Sequence, residues 1–115
     1  PPPRRKTPRQ TTTPNPPLTE AAYQRRITDY CNLRGLRWHH ETDSRRTRPG
    51  YPDLTVCGPG GVVWLEVKTD TGRIRPEQRE WLNALTAAGH DALIVRPRHW
   101  DDVRSLLDAL AERKS

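Results

Sequence analysis

Two acids and one lysine stand at spacings that could do chemistry together. Asp53 follows Pro52 at the head of one strand-like run, and Glu66 and Lys68 sit two residues apart near the end of the next. Between them lies Gly58-Pro59-Gly60-Gly61, turn chemistry that predicts a hairpin joining Pro52–Cys57 to Val62–Lys68. If those four residues make the turn, Cys57 meets Val62, and counting back pairs Val56 with Val63, Leu54 with Leu65 and Asp53 with Glu66. The apolar pairs agree on one face, which defines the core side and leaves Asp53, Glu66 and Lys68 together on the other. Directly opposed side chains in an antiparallel pair have Cβ atoms roughly 4.5–5.5 Å apart, and like charges there repel. A divalent cation offsets that repulsion, and hard carboxylate oxygens suit Mg²⁺ or Mn²⁺, with water and phosphate completing the shell. Such an ion polarises a phosphate, lowers the pKa of bound water and stabilises the added charge of the transition state. Lys68 would place an ammonium where that charge develops. The plainer alternative is an exposed strand face on which Glu66 and Lys68 form a weak surface pair and Asp53 lies in a loop.

Two observations favour the first reading. Arginine outnumbers lysine 17 to 3, so a lysine at position 68 suggests a compact point-charge donor rather than a generic cation. Glu20 shares a helix face with Tyr23, Ile27 and Cys31, and a carboxylate pointing inward needs a partner. Gln24, one turn on, is either a boundary residue or a second contact to a bound polyanion. Arg73 and Arg75 flank the loop after the lysine strand and could meet phosphate. One of His39 and His40, which alternate on a short strand, could approach the site. A zinc site from Cys31, Cys57, His39 and His40 lacks paired ligand spacing.

The elements that must position these residues follow from periodicity. Tyr23, Ile27, Tyr30 and Cys31 predict a helix over Leu18–Arg34, with Thr19 as N-cap and Gly35 as stop. Leu36–Glu41 reads as a short strand, and residues 42–50 as a polar loop carrying Arg45, Arg46 and Arg48. Pro76 opens a helix ending near Ala88, and Gly89 follows it. Ala92–Val95 reads as a fourth strand. A last helix over Asp101–Glu112 places Val103, Leu106, Leu107 and Leu110 on one face. The expected order is α-β-β-β-α-β-α, one α/β domain over residues 18–115.

Residues 1–17 are a different material. They hold seven prolines, four basic residues (Arg4, Arg5, Lys6, Arg9) and no acid, and read as a disordered, polyproline-like basic arm. With the arm set apart, the net charge of +6 shrinks to +2, so net charge alone does not establish a nucleic-acid partner. A basic arm and a pI near 10 nonetheless favour a polyanion through steering and counterion release, although a solvated tail has the same composition. The apolar runs Val62–Leu65 and Ala92–Val95 are far shorter than the ~20 residues a membrane helix needs, which predicts no membrane partner. Cys31 and Cys57 form no C-x-x-C pair and follow no signal-peptide pattern, so reduced, buried thiols and a cytoplasmic setting are expected.

The segments Gly50-Tyr51-Pro52-Asp53, Trp64-Leu65-Glu66-Val67-Lys68 and Pro76-Glu77-Gln78, with Trp81-Leu82 and Gly89, resemble the VRR-NUC family of the PD-(D/E)XK nuclease superfamily. The likeness covers about Thr19 to Pro97 and departs at Arg75, where a helix-capping Ser or Thr is usual. It implies a restriction-endonuclease-like core, a central mixed sheet of about four strands flanked by helices. It further implies that Asp53, Glu66 and the Val67 carbonyl hold Mg²⁺ or Mn²⁺, that Lys68 steadies the attacking water, that Glu20 acts on the metal through water, and that Gln78 belongs to the site. Stand-alone phage and bacterial members of this size imply a homodimeric DNA endonuclease selective for branched or four-way-junction (Holliday junction) DNA. The rivals are a non-catalytic DNA-binding module on the same fold and a nicking or exonuclease-type enzyme.

Overall fold

The computed structural model describes residues 17–42 and 49–113. Residues 1–16 of the basic arm and Arg45, Arg46 and Arg48 lie outside the described residues. The elements are α1 (Glu20–Leu33), β1 (Arg37–His40), β2 (Leu54–Gly58), β3 (Gly61–Val67), α2 (Pro76–Ala87), β4 (Asp91–Val95), a 3₁₀ turn (Pro97–His99) and α3 (Trp100–Ala111). The order is the expected one, with the 3₁₀ turn added where Pro97 both blocks the strand and starts a helical turn.

Local chemistry explains the boundaries. Thr19 caps α1, its Oγ1 accepting from the Ala22 N–H at 3.0 Å, and Gly35 leaves the helix at φ 71°. The β2–β3 turn is tighter than the sequence suggests, because Gly58 pairs directly with Gly61 and only Pro59 and Gly60 remain as loop. The register is unchanged by this: Leu54 faces Leu65 and Val56 faces Val63. Gly60 is required by close approach, since a Cβ there would run into the Ala109 carbonyl while its N–H donates to Leu110 O at 2.8 Å.

The four strands form one sheet in the order β1-β2-β3-β4, antiparallel except for the parallel pair β3–β4. That pair needs a crossover, and α2 supplies it. α1 and α3 cover one face, burying Tyr23, Ile27 and Cys31 with Leu54, Val56, Val63, Leu65, Val67, Val103, Leu107 and Leu110. The second face carries Trp64 and Glu66 and is covered by α2 only at the β3–β4 side. This asymmetry corrects one expectation. Cys57 is an exposed thiol, because it projects from β2 onto the uncovered half of that face, whereas Cys31 is buried as expected; both are free. Among the described residues no helix is long and apolar enough to cross a membrane.

Candidate active site

β2 begins at Leu54, immediately after Asp53, so its backbone ladder to β3 stops one residue short of the acid. The Asp53 side chain takes over that ladder position: its Oδ2 accepts the Val67 N–H at 2.8 Å. On the other flank the Glu41 N–H donates to the Asp53 carbonyl at 2.9 Å. Backbone groups from β3 and from the residue after β1 thus hold both the main chain and the carboxylate of Asp53.

Glu66 projects from β3 onto the second face and is 2% exposed. Gln78, on the first turn of α2, donates from Nε2 to Glu66 Oε2 at 2.8 Å, while its Oε1 accepts the Arg75 N–H, also at 2.8 Å. The two bonds fix which end of the amide faces the acid. Arg75 cannot cap α2 with its own side chain, since a guanidinium accepts nothing; Gln78 keeps the reciprocal half of the capping box by binding back to the Arg75 N–H. That is how the chain accommodates the absent Ser or Thr.

Lys68 follows the last residue of β3 and is 7% exposed. Its Nζ stands 3.9 Å from Glu66 Oε2, and its N–H is tied to Val95 O at 3.0 Å. The plain alternative of a weak surface pair therefore fails: both groups are buried, and a buried charge is retained only where partners surround it. Burial pushes the Glu66 carboxyl up to about 8, and the charge and hydrogen-bond reach of Asp53 push the same way, with Glu20 adding a little and Lys68 opposing. Metal-free, the site holds the Glu66 proton more tightly than water holds that of an ordinary carboxyl.

Glu20 comes to this place from the start of α1. It is more exposed than the inward-pointing carboxylate expected, because it is the first helical residue and overhangs the end of the sheet instead of packing on it. Partial burial and the charge of Asp53 still raise its pKa, while Lys68 and Arg75 pull it down. Glu20, Asp53, Glu66, Lys68, Arg75 and Gln78 line one cavity of about 190 Å³, together with Pro49, Gly50, Tyr51 and Glu77. Four acids face two bases in that cavity, a negative excess that favours a cation.

The other expected contacts lie elsewhere. Gln24 is not in the cavity lining; its Nε2 pairs with His40 Nε2 at 3.1 Å, the boundary role, since α1 has by then carried it over β1. His39 pairs with Glu41 at 3.6 Å, so neither histidine reaches the cavity. Arg73 is exposed in the β3–α2 loop, outside the lining. Among the described residues no three His, Cys, Asp or Glu side chains gather as a protein-only metal cage would require. Glu77 carries no mark in the sequence beyond its place before Gln78, and Tyr51 and Gly50 stand out there only as part of a motif.

None of the curated proteins compared matches the chain. A solved structure named VRR_NUC domain protein superposes with a TM-score of 0.61 at 21% identity, over 85% of this chain and 93% of the other, which shows a shared fold. The model of the VRR-NUC domain matches residues 7–98. The segment matched includes every residue lining the cavity and ends before α3. The chain therefore belongs to the VRR-NUC domain family, whose domain is of the nuclease type that processes DNA.

Proposed function

We propose that this chain is a divalent-cation-dependent DNA endonuclease whose centre is Asp53, Glu66 and Lys68. The observation that carries the reading is a buried acid, Glu66, held by Gln78 beside a second fixed acid and a buried lysine. The donor set suits a hard ion of the Mg²⁺ or Mn²⁺ kind. Such ions take one or two carboxylates and leave their remaining positions to water, carbonyl and phosphate oxygens, consistent with the absence of a three-ligand protein cage among the described residues. Asp53 and Glu66 would hold the ion, with the Val67 carbonyl beside them and Glu20 acting through water. Bound there, it would supply Lewis acidity and a water of lowered pKa.

The remaining chemistry belongs to the chain. Gln78 orients Glu66, and the Val67 N–H orients Asp53. Lys68 presents an ammonium at the edge of the acid pair, where a phosphate gains negative charge as water adds. Arg75, on the cavity lining, offers a donor fork to a neighbouring phosphate, and Arg73, exposed in the same loop, would meet the backbone further along. Branched DNA, including the four-way junction, is the proposed substrate, cut by a homodimer whose two-fold axis presents two sites for paired nicks.

The test is cleavage of linear, flapped and four-way-junction DNA by the purified chain in Mg²⁺ or Mn²⁺. Asp53→Ala is expected to abolish cleavage and keep most DNA affinity. A wild type that leaves every substrate intact in both metals, yet binds DNA, would instead be a binding module on a nuclease fold.

A further inference from the structure

Beside the acid cavity lies a second hollow, of about 400 Å³, lined by Pro49, Glu77, Glu80, Trp81 and Ala84. Residues 77, 80, 81 and 84 share one face of α2 over roughly two turns. Pro49 and Glu77 line both hollows, so the two adjoin. The Trp81 wall is fixed relative to the acids. Its ring meets Tyr51 edge-to-face at 4.9 Å and 80°, and the Tyr51 hydroxyl accepts the Trp64 Nε1–H at 3.0 Å. Trp64 lies two residues before Glu66 on the same face of β3.

Its chemistry is selective. The walls are a proline ring, an indole and a methyl group, and the two polar groups are exposed carboxylates that accept hydrogen bonds and donate none once ionised. Phosphate is repelled from such a rim. A flat apolar group carrying N–H donors is favoured, because it can lie against the indole while its amino hydrogens meet Glu77 or Glu80.

We propose that this hollow receives one unpaired nucleobase of the DNA next to the phosphate held in the acid cavity. The proposal rests on the nuclease reading and deepens it: the substrate must offer an unstacked base beside the cut, as a fork, flap or branch point does and a continuous duplex does not. Cytosine, adenine and guanine present amino donors on their pairing edges, whereas thymine offers only N3–H between two carbonyl oxygens that repel a carboxylate, so thymine binds less well at this position.

The experiment uses the full chain with Ca²⁺ in place of Mg²⁺ and forked DNA carrying 2-aminopurine as the first unpaired nucleotide. The expected result is a change in fluorescence on binding that Trp81→Leu abolishes and Trp81→Phe largely keeps. Trp81→Leu should weaken forked-DNA binding about tenfold, as loss of one stacked base would, and leave fully paired duplex binding unchanged. Unchanged duplex binding also shows that the variant folds. Glu80→Gln gives a second readout on a rim residue, reducing the preference for cytosine over thymine at the unpaired position. Equal binding and fluorescence by wild type and Trp81→Leu overturns the proposal, and so does a Trp81→Leu defect confined to self-association, which would assign the groove to a second copy of the chain. The two readings separate cleanly. Cleavage insensitive to Trp81 removes the base pocket alone, whereas a fluorescence response without cleavage in Mg²⁺ or Mn²⁺ removes the nuclease reading alone.

Discussion

Gln78 spans the gap between Glu66 and Arg75, donating to the acid with Nε2 and accepting the Arg75 N–H with Oε1, both at 2.8 Å. One side chain thereby joins a buried acid on β3 to the first turn of α2. Its amide does two jobs at once, orienting Glu66 and holding the backbone of an N-cap residue whose own side chain cannot cap.

Gln78→Ala is expected to separate metal affinity from turnover. Loss of a side chain that orients a metal ligand typically costs 10–100-fold in metal affinity, and loss of one hydrogen bond costs about 1 kcal/mol of stability. Calorimetric titration with Mn²⁺ should show the weaker binding, while cleavage at saturating metal recovers most of its rate. Equal Mn²⁺ affinities in variant and wild type would remove Gln78 from the site.

The raised Glu66 carboxyl makes stability depend on pH in a defined direction. Unfolded, the group titrates near 4.5; folded and metal-free, near 8. Between those values the native state holds more protons than the unfolded one, so its stabilising contribution is complete below pH 4.5 and is lost as pH rises through 8. The melting temperature in EDTA should therefore carry a falling component across this range that Glu66→Gln removes. Metal competes with the same proton, so Mn²⁺ affinity should rise by about tenfold per pH unit below pH 8, where one proton is displaced. Parallel melting profiles for wild type and Glu66→Gln in EDTA would contradict the assignment.

The hairpin was legible because its two strands alternate in phase: Leu54 and Val56 against Leu65 and Val63 allow one register, and that register alone opposes Asp53 to Glu66. Helix faces were legible for the same reason of period. What escaped was anything set by three-dimensional neighbours. Cys57 looks like a core residue until it is known that α2 covers only half of the second face. Glu77 and Glu80 look like ordinary helix-surface acids until Pro49 and Trp81 form a hollow between them. Gln24 matched the site by helical period, yet one turn of α1 carried it to His40.

Two glycines test how closely the loop before Asp53 must meet α2. Gly50 and Gly89 both have positive φ, 88° and 92°, so an alanine at either costs about 1–2 kcal/mol in backbone strain. They differ in space: a Cβ on Gly50 would lie 2.5 Å from the Glu77 carbonyl carbon, whereas one on Gly89 meets nothing within 4 Å. Gly50→Ala should therefore be the more destabilising, and it should also lower cleavage by pushing Glu77 and Gln78 away from Asp53. Gly89→Ala should lower the melting temperature while leaving cleavage intact. Denaturant titration and cleavage rates of the two variants check this, and equal losses in both would show that the close approach is unimportant.

Arg96 reaches the site without entering its cavity. From the end of β4 its Nη1 donates to Thr69 O at 2.6 Å and to Gly72 O at 2.9 Å, and Arg98 adds bonds to Asp70 through its N–H at 3.0 Å and its Nη1 at 2.9 Å. These bonds strap the loop that connects Lys68 to Arg75, so two donors of the site depend on a residue remote in sequence. Arg96→Lys keeps the charge on a shorter side chain, whose ammonium falls short of the place from which Nη1 serves both carbonyls. Losing a charge-assisted bond of this kind costs about 1.5–3 kcal/mol. The expected signature is faster amide exchange over residues 69–75 and a lower kcat, with Mn²⁺ affinity preserved because Asp53, Glu66 and Gln78 keep their own bonds. A fall in Mn²⁺ affinity as large as that of Gln78→Ala would mean that the strap supports the acids and not the lysine loop.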